Sequence, residues 1–127
     1  IKKALEGRVP PLDKALAAFV QDIYQSGLSE KVLLVVTGEF GRTRLNQNAG
    51  RDHWPSITPM LLSGGGYGHG RVIGKSDKAY YPTESKVTPI DLAATMFDHF
   101  GIPQGIQRVD QGGRPRYLLE GEGKVIL

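Results

Sequence analysis

Apolar residues recur with helical spacing in the first part of the chain. They stand at relative positions i, i+3, i+4, i+7, i+8, i+11 and i+12: Leu12, Ala15, Leu16, Phe19, Val20, Ile23 and Tyr24. This spacing describes one apolar face of a helix with 3.6 residues per turn. Pro10 and Pro11 suit the start of this helix, and Gly27 suits a left-handed cap at its end.

The next apolar segment shows no alternation. Residues 31–37 read KVLLVVT and contain a run of five aliphatic residues. Such a run is typical of a strand that is buried on both faces, as in a parallel sheet flanked by helices. A helix followed by a buried strand predicts an α/β architecture. Residues 60–63, MLLS, predict a second short strand.

A second helix is predicted within residues 87–103, VTPIDLAATMFDHFGIP. Thr88 is a candidate N-cap, Pro89 takes the first helical position, and Asp91 lies three residues after the cap. Gly101 is expected to end the helix. The tail after it, residues 112–127, predicts two short strands separated by a glycine-rich turn.

Length and composition fit one soluble domain, so we expect residues 1–127 to form a single domain. The chain is 39% hydrophobic and 23% charged, and its formal charge is +3. The basic residues are scattered, and this charge suits an anionic substrate as well as a nucleic acid and decides neither. No aromatic–basic pattern or nucleic-acid motif appears. The absence of cysteine excludes disulfides and thiol catalysis. No apolar run approaches the roughly 18–20 residues that span a bilayer.

The polar segment VVTGEFGRTRLNQNAGRDHWP, residues 35–55, follows the buried strand. Sites in parallel α/β sheets form at the carboxyl ends of strands, so Glu39 lies where a metal ligand or general base is expected. The two glycines of the GEFG motif are expected to let the backbone turn sharply. The alternative is that Glu39 is a surface carboxylate paired with Arg42 or Arg44.

Asp52 and His53 form a second cluster in this segment. Carboxylate and neutral imidazole are ligands for zinc, manganese and other divalent metals. Because adjacent side chains rarely point the same way, one of them is expected to ligate and the other to orient it. The alternative is a turn in which Asp52 caps the backbone and His53 packs under Trp54.

Three arginines, Arg42, Arg44 and Arg51, accompany these candidate ligands. Guanidinium groups bind sulfate, phosphate or carboxylate through paired hydrogen bonds. Their proximity in sequence predicts an anion site, although each arginine alone is more often a solvated surface charge. Asn46 and Asn48 offer further donors, or they form turns.

Several separated motifs resemble those of the DUF1501 family of bacterial, often exported proteins. In chain order they are VVTGEFGRT, NAGRDHWP, LLSGGG, VTPIDLAATMFDHFGI and GRPRYLLEG. The resemblance runs from about Leu12 to the end and corresponds to the C-terminal part of the family. It implies the fold of the alkaline-phosphatase-like superfamily, a doubly wound sheet flanked by helices. The resemblance also suggests a periplasmic or exported location. The chain begins IKKALEGR, without methionine or signal peptide, so we expect a piece of a longer protein.

The resemblance also implies a chemistry. Members of the superfamily include sulfatases and phosphatases, and commonly use a divalent metal, for which zinc, calcium, manganese and magnesium are the candidates. By order along the chain, Glu39 and Phe40 stand where the resemblance implies an Asp–His metal pair. His53 stands at the place of a further metal histidine, with Asp52 ligating or orienting it. Phe40 cannot ligate a metal, and the nucleophile is expected outside this chain.

Two functional hypotheses follow. In the first, the chain is part of a metal-dependent sulfuric or phosphoric ester hydrolase and is inactive by itself, with Arg42 and Arg51 holding the anion of the ester. In the second, the same fold is a non-catalytic module that binds an anion or a sulfated glycan. Neither involves nucleic acid or a membrane. Uncovered sheet edges predict self-association of the 127-residue chain.

Overall fold

The computed structural model describes residues 2–46 and 50–127, so Asn48 lies outside the described residues. Within them the chain is mixed α/β, with two helices and eight short strands. In order these are α1 (Lys2–Gln25), β1 (Leu33–Thr37), β2 (Gly41–Arg42), β3 (His53–Trp54), β4 (Met60–Gly64), β5 (Lys75–Ser76), β6 (Pro82–Glu84), α2 (Pro89–His99), β7 (Gln107–Val109) and β8 (Pro115–Tyr117).

The chain divides into two compact units. The first comprises Ile1–Arg71 and Ser76–Thr83, and the second comprises Val72–Lys75 and Glu84–Leu127. The expectation that residues 1–127 belong to one domain stays a prediction. In the described residues, no helix combines the length and the apolar character needed to cross a bilayer.

The predicted first helix is present, but it begins at Lys2 rather than at the prolines. Pro10 and Pro11 lie inside α1. Each proline lacks the backbone N–H that would bond to the carbonyl four residues earlier. The carbonyls of Glu6 and Gly7 therefore lose their helical donors. The helix continues through this loss because Lys, Ala, Leu and Glu before it are strong helix formers. The prediction that the prolines start the helix is therefore wrong.

The end of α1 is as predicted. Gly27 has a φ of 68°. Its N–H donates to the carbonyl of Tyr24 at 3.2 Å, and the N–H of Leu28 donates to the carbonyl of Ile23 at 2.9 Å. This pair of bonds is the Schellman arrangement, in which a left-handed glycine satisfies the last helical carbonyls.

The aliphatic run forms β1, which pairs antiparallel with β4. The register places Leu33 opposite Gly64 and Thr37 opposite Met60. Four of the five residues of β1 are half-buried and the fifth is exposed. Both strand positions are confirmed. The prediction of a parallel strand buried on both faces is wrong for the described chain, because an aliphatic run indicates a covered strand without fixing the direction of its partner.

The second unit is built around α2, whose predicted ends are confirmed. The side chain of Thr88 accepts from the N–H of Asp91 at 3.3 Å, and Asp91 Oδ2 accepts from the N–H of Thr88 at 2.7 Å. These reciprocal bonds form a capping box at the start of the helix. At the other end Gly101 has a φ of 64° and its N–H donates to the carbonyl of Asp98 at 2.9 Å.

The C-terminal tail is held by side chains of α2. Asp91 Oδ1 accepts from the N–H of Lys124 at 2.8 Å, and Thr95 Oγ1 accepts from the N–H of Ile126 at 3.0 Å. Ala94 and Thr95 are both 0% exposed. The predicted last strand is wrong, since these tail N–H groups bond to helix side chains instead of a strand. The predicted strand before it is β8, which pairs antiparallel with β7.

Candidate functional site

The polar segment after β1 folds into a short hairpin made by β2 and β3. Gly41 lies opposite Trp54, and Arg42 lies opposite His53. The pairing extends toward the loop, where the N–H of Thr43 donates to the carbonyl of Asp52 at 3.1 Å. We call residues 41–46 and 50–54 the arginine hairpin. It contains four of the five predicted site residues, and Glu39 precedes it by two positions.

The side chain of Arg42 bonds to the main chain of Arg51, and the side chain of Arg51 bonds to the main chain of Arg42. Arg42 Nη1 donates to the carbonyl of Arg51 at 3.1 Å, and Arg51 Nη2 donates to the carbonyl of Arg42 at 3.0 Å. Arg51 Nε also donates to the carbonyl of Thr43. Each arginine therefore holds the strand that carries the other. Both side chains are exposed.

No carboxylate neutralises these arginines in the described part of the chain. The four ion pairs there involve Lys2, Lys75 and Arg116 as their cations. A guanidinium has five N–H donors, and the main-chain bonds use one in Arg42 and two in Arg51. The remaining donors and both charges are therefore available to solvent or to an anion.

Glu39 is exposed and makes no ion pair with Arg42 or Arg44. The alternative in which it is a paired surface carboxylate is therefore wrong for the described residues. Its proposed role as ligand or base stays a prediction.

Asp52 is anchored within the hairpin rather than left free. Its Oδ1 accepts from Asn46 Nδ2 at 3.1 Å, and its N–H donates to Thr43 Oγ1 at 2.9 Å. These bonds orient the carboxylate toward the hairpin loop. This bond of the Asp52 carboxylate is to a side-chain amide rather than to a backbone N–H, so the backbone cap of the turn alternative stays a prediction.

His53 is exposed and stacks on Phe40 rather than packing under Trp54. The ring centroids of His53 and Phe40 are 3.9 Å apart, with an angle of 31° between the planes. On the same phenyl ring, the guanidinium carbon of Arg42 lies 5.4 Å from the centroid. Phe40, which cannot ligate a metal, therefore positions both an imidazole and a cation.

The predicted metal ligands do not form a metal centre by themselves. Among residues 2–46 and 50–127, no three or more His, Asp or Glu side chains come together in a way that could hold a metal ion. Glu39, Asp52 and His53 have the right donor atoms, but a structural or catalytic zinc is held by three or four protein ligands in one place. The residues present do not fit a complete metal site, and further ligands would have to come from elsewhere.

A cavity of about 430 Å³ lies beside the arginine hairpin. Its lining residues are Thr43, Arg44, Trp54, Lys78, Ala79 and Tyr80. The sequence reasoning did not include Lys78, because it is more than 20 positions from the hairpin strands. No local signal marked Lys78, whose carbonyl accepts from Arg44.

Comparison with protein families gives one match over the whole chain. Residues 1–127 match the family described as "Protein of unknown function (DUF1501)". The chain belongs to the DUF1501 family. The motif resemblance is thereby confirmed at the level of the family, while the placement of this DUF1501 chain among alkaline-phosphatase-like proteins stays a prediction. Neither the curated proteins nor the solved structures gave a match.

Proposed function

We propose that the arginine hairpin binds the anionic group of a sulfate or phosphate ester. The observation that carries this proposal is the pair of guanidinium groups of Arg42 and Arg51, each bonded to the main chain of the other. In the described residues neither has a carboxylate partner. In the larger protein, the chain would supply the anion-holding part of a periplasmic or exported ester hydrolase.

Main-chain anchoring suits these side chains to anion binding. A long arginine side chain loses rotamer freedom when it binds a ligand, and that loss weakens binding. Here part of the freedom is already lost in the folded hairpin, because each guanidinium is tied to a carbonyl. Hydrogen bonds from a guanidinium to an oxyanion are charge-assisted and are stronger than bonds between neutral groups. A sulfate or phosphate group would therefore find fixed cationic donors.

The remaining predicted residues have supporting roles in this proposal. Glu39, Asp52 and His53 are candidate ligands for a divalent metal such as zinc, calcium, manganese or magnesium, completed by residues outside this chain. Such a metal would act as a Lewis acid on the ester when bound. The nucleophile is expected outside the chain, and so is the rest of a doubly wound alkaline-phosphatase-like sheet. The 127-residue chain alone should therefore not hydrolyse esters.

The contact between Phe40 and His53 favours a second candidate. The resemblance implies a metal ligand at position 40, but the phenyl ring there stacks on His53 at 3.9 Å. A site that has exchanged a ligand for a stacking ring is suited to hold an anion or a sulfated glycan without turning it over. In this candidate the arginine hairpin has the same ligand and no catalytic step follows.

Calorimetric titration of the chain with inorganic sulfate and with a sulfated polysaccharide tests the shared part of both candidates. Arg42→Ala should weaken binding roughly 10- to 150-fold, because a charge-assisted bond contributes roughly 1.5–3 kcal/mol. The matched control is Arg71→Ala. Arg71 is likewise exposed and bonded to a main-chain carbonyl, that of Gly68 at 3.1 Å, but it lies outside the hairpin. Equal affinities of the two variants would refute anion binding by the hairpin.

Addition of a metal chelator distinguishes the ester hydrolase from the non-catalytic binding module. Binding that persists in chelator, with no release of nitrophenol from nitrophenyl sulfate or phosphate by the full-length protein, favours the binding module. Chelator-sensitive hydrolysis by the full-length protein that Arg42→Ala slows favours the hydrolase. Tryptophan emission should be unchanged in Arg42→Ala, as a check that Trp54 and the hairpin remain folded.

A further inference from the structure

The cavity beside the arginine hairpin is built by bonds between the hairpin and a distant turn of the same unit. Trp54 Nε1 donates to the carbonyl of Tyr80 at 2.7 Å, and Arg44 Nη2 donates to the carbonyl of Lys78 at 3.0 Å. The turn itself is held by Asp77, whose Oδ1 accepts from the N–H of Ala79 at 2.8 Å. Two independent anchors thus fix the walls of the cavity.

The lining combines two aromatic rings with two cations. Trp54 and Tyr80 are both half-buried, whereas Arg44 and Lys78 are exposed. The guanidinium carbon of Arg44 lies 5.9 Å from the centroid of the Tyr80 ring. The lining includes no carboxylate, and neither cation takes part in an ion pair within the described residues. The cavity therefore favours a ligand that is negatively charged and has a ring-sized apolar face.

Backbone strain at Tyr80 also indicates that this cavity is a ligand site. Its φ is 64°, in the left-handed region. That region costs a residue other than glycine roughly 1–2 kcal/mol. Non-glycine residues in such conformations cluster at ligand sites, where the surrounding structure holds them. Here the bond from Trp54 to the Tyr80 carbonyl is one of the contacts that maintain it.

We propose that this cavity binds the sugar ring of a sulfated or phosphorylated saccharide, with Arg44 and Lys78 contacting its ester group. Aromatic faces carry partial negative charge and attract the polarised C–H groups of a sugar ring. The volume of about 430 Å³ lies within the roughly 300–1,000 Å³ usual for small-molecule sites. The inference rests on the proposed function for the class of ligand, and it adds a second subsite made of different residues.

The only tryptophan in the chain lines this cavity, so its fluorescence reports on occupancy directly. We would titrate the chain with glucose 6-sulfate, glucose 6-phosphate, glucose and inorganic sulfate. The expected result is a saturable change in Trp54 emission with at least one of the two esters. Glucose at the same concentrations should give no such change, and the response to the ester should exceed any response to inorganic sulfate, which is expected to bind the arginine hairpin alone. The relative affinities for the two esters identify which anion the site prefers.

Two variants test whether the change in Trp54 emission arises from binding in the cavity. Lys78→Ala should lower the affinity about tenfold, since it removes a charged donor while leaving the main-chain bonds that shape the cavity. Lys86→Ala removes another exposed lysine, outside the lining, and should have no effect. Equal affinities for the two variants, or an emission that no ester changes, would overturn the inference.

The two proposals fail in different ways. If sulfate binding in the calorimeter depends on Arg42 while Trp54 emission does not respond to sugar esters, only the second subsite is refuted. If Trp54 responds and the response depends on Lys78, while calorimetric sulfate binding is indifferent to Arg42, the arginine hairpin is refuted as an anion site and the cavity remains.

Discussion

Replacement of Gly41 by alanine should disrupt the arginine hairpin, whereas the same change at Gly38 should be tolerated. Both glycines flank the Glu39–Phe40 pair, and neither has a positive φ, so neither is needed for a left-handed turn. Gly41 is buried, and a Cβ added there would overlap the carbonyl oxygen of Ile57 and lie 3.2 Å from its carbonyl carbon. At Gly38 the nearest atoms to an added Cβ are 3.7 and 3.8 Å away, which is ordinary contact.

The overlap at Gly41 involves main-chain atoms, which cannot rotate out of the way as a flexible side chain can. The strand and the Ile57 segment must separate, and overpacking of this kind costs up to about 3 kcal/mol. For a domain of this size, that cost corresponds to a melting temperature lower by roughly 10 °C. Gly38→Ala should instead change stability by less than about 1 kcal/mol.

Thermal unfolding followed by circular dichroism measures this difference. Trp54 lies directly opposite Gly41 in the hairpin, so its emission provides a local signal. We expect Gly41→Ala to shift that emission in the folded state and Gly38→Ala to leave it unchanged. Equal melting temperatures and identical emission spectra for the two variants would refute the close approach of Gly41 to Ile57.

Four further predictions concern the second unit and the state of the chain. Gly123→Ala would place a Cβ 2.7 Å from the Ala94 Cβ and should lower the melting temperature, whereas Gly105→Ala meets nothing within 4 Å and should not; equal values would contradict the packing of the tail on α2. Thr95→Val should cost about 1–3 kcal/mol in urea unfolding, because it leaves a tail N–H without its acceptor, and Thr95→Ser should recover part of that loss. The pKa of Asp91 is lowered from its ordinary 3.8 first by the N–H of Lys124 and then by the hydroxyl and N–H of Thr88. The ionised Asp91 therefore stabilises the folded state above pH 3.8, and this stabilisation is lost as the pH falls below that value. Asp91→Asn should therefore reduce the fall in melting temperature between about pH 5 and pH 2, and an unchanged fall would contradict this assignment. Light scattering should detect self-association, because β1 and β4 form a two-stranded sheet with uncovered edges, and a monodisperse monomer would contradict it.

The end of α1 and both ends of α2 could be predicted from the sequence because they are local. The capping box of Thr88 and Asp91 joins residues three positions apart, and the Gly27 cap joins residues within one turn. No distant part of the chain has to be placed correctly for these bonds to form. The positions of β1 and β4 were also predictable, since an aliphatic run must be covered by other parts of the protein wherever it lies.

The same distinction between features that depend on sequence neighbours and features that depend on tertiary structure applies to the candidate site. Arg42, Arg51, Asp52 and His53 are close in sequence, so their clustering was predictable. Their individual contacts were not, because which carbonyl or ring each side chain meets depends on the hairpin register. The exchange of carbonyl bonds between the two arginines and the stacking of His53 on Phe40 both follow from that register.

The sequence by itself determined the end of α1 and both ends of α2 through local caps, and where chemistry-bearing side chains concentrate. Only the tertiary structure decided that β1 runs antiparallel to β4, that Gly41 must lack a side chain beside Ile57, and that Lys78 and Tyr80 complete a cavity with Trp54. The physical reason is separation along the chain. A cap depends on the dihedral angles of a few neighbouring residues, whereas these contacts depend on the path of every residue between their partners.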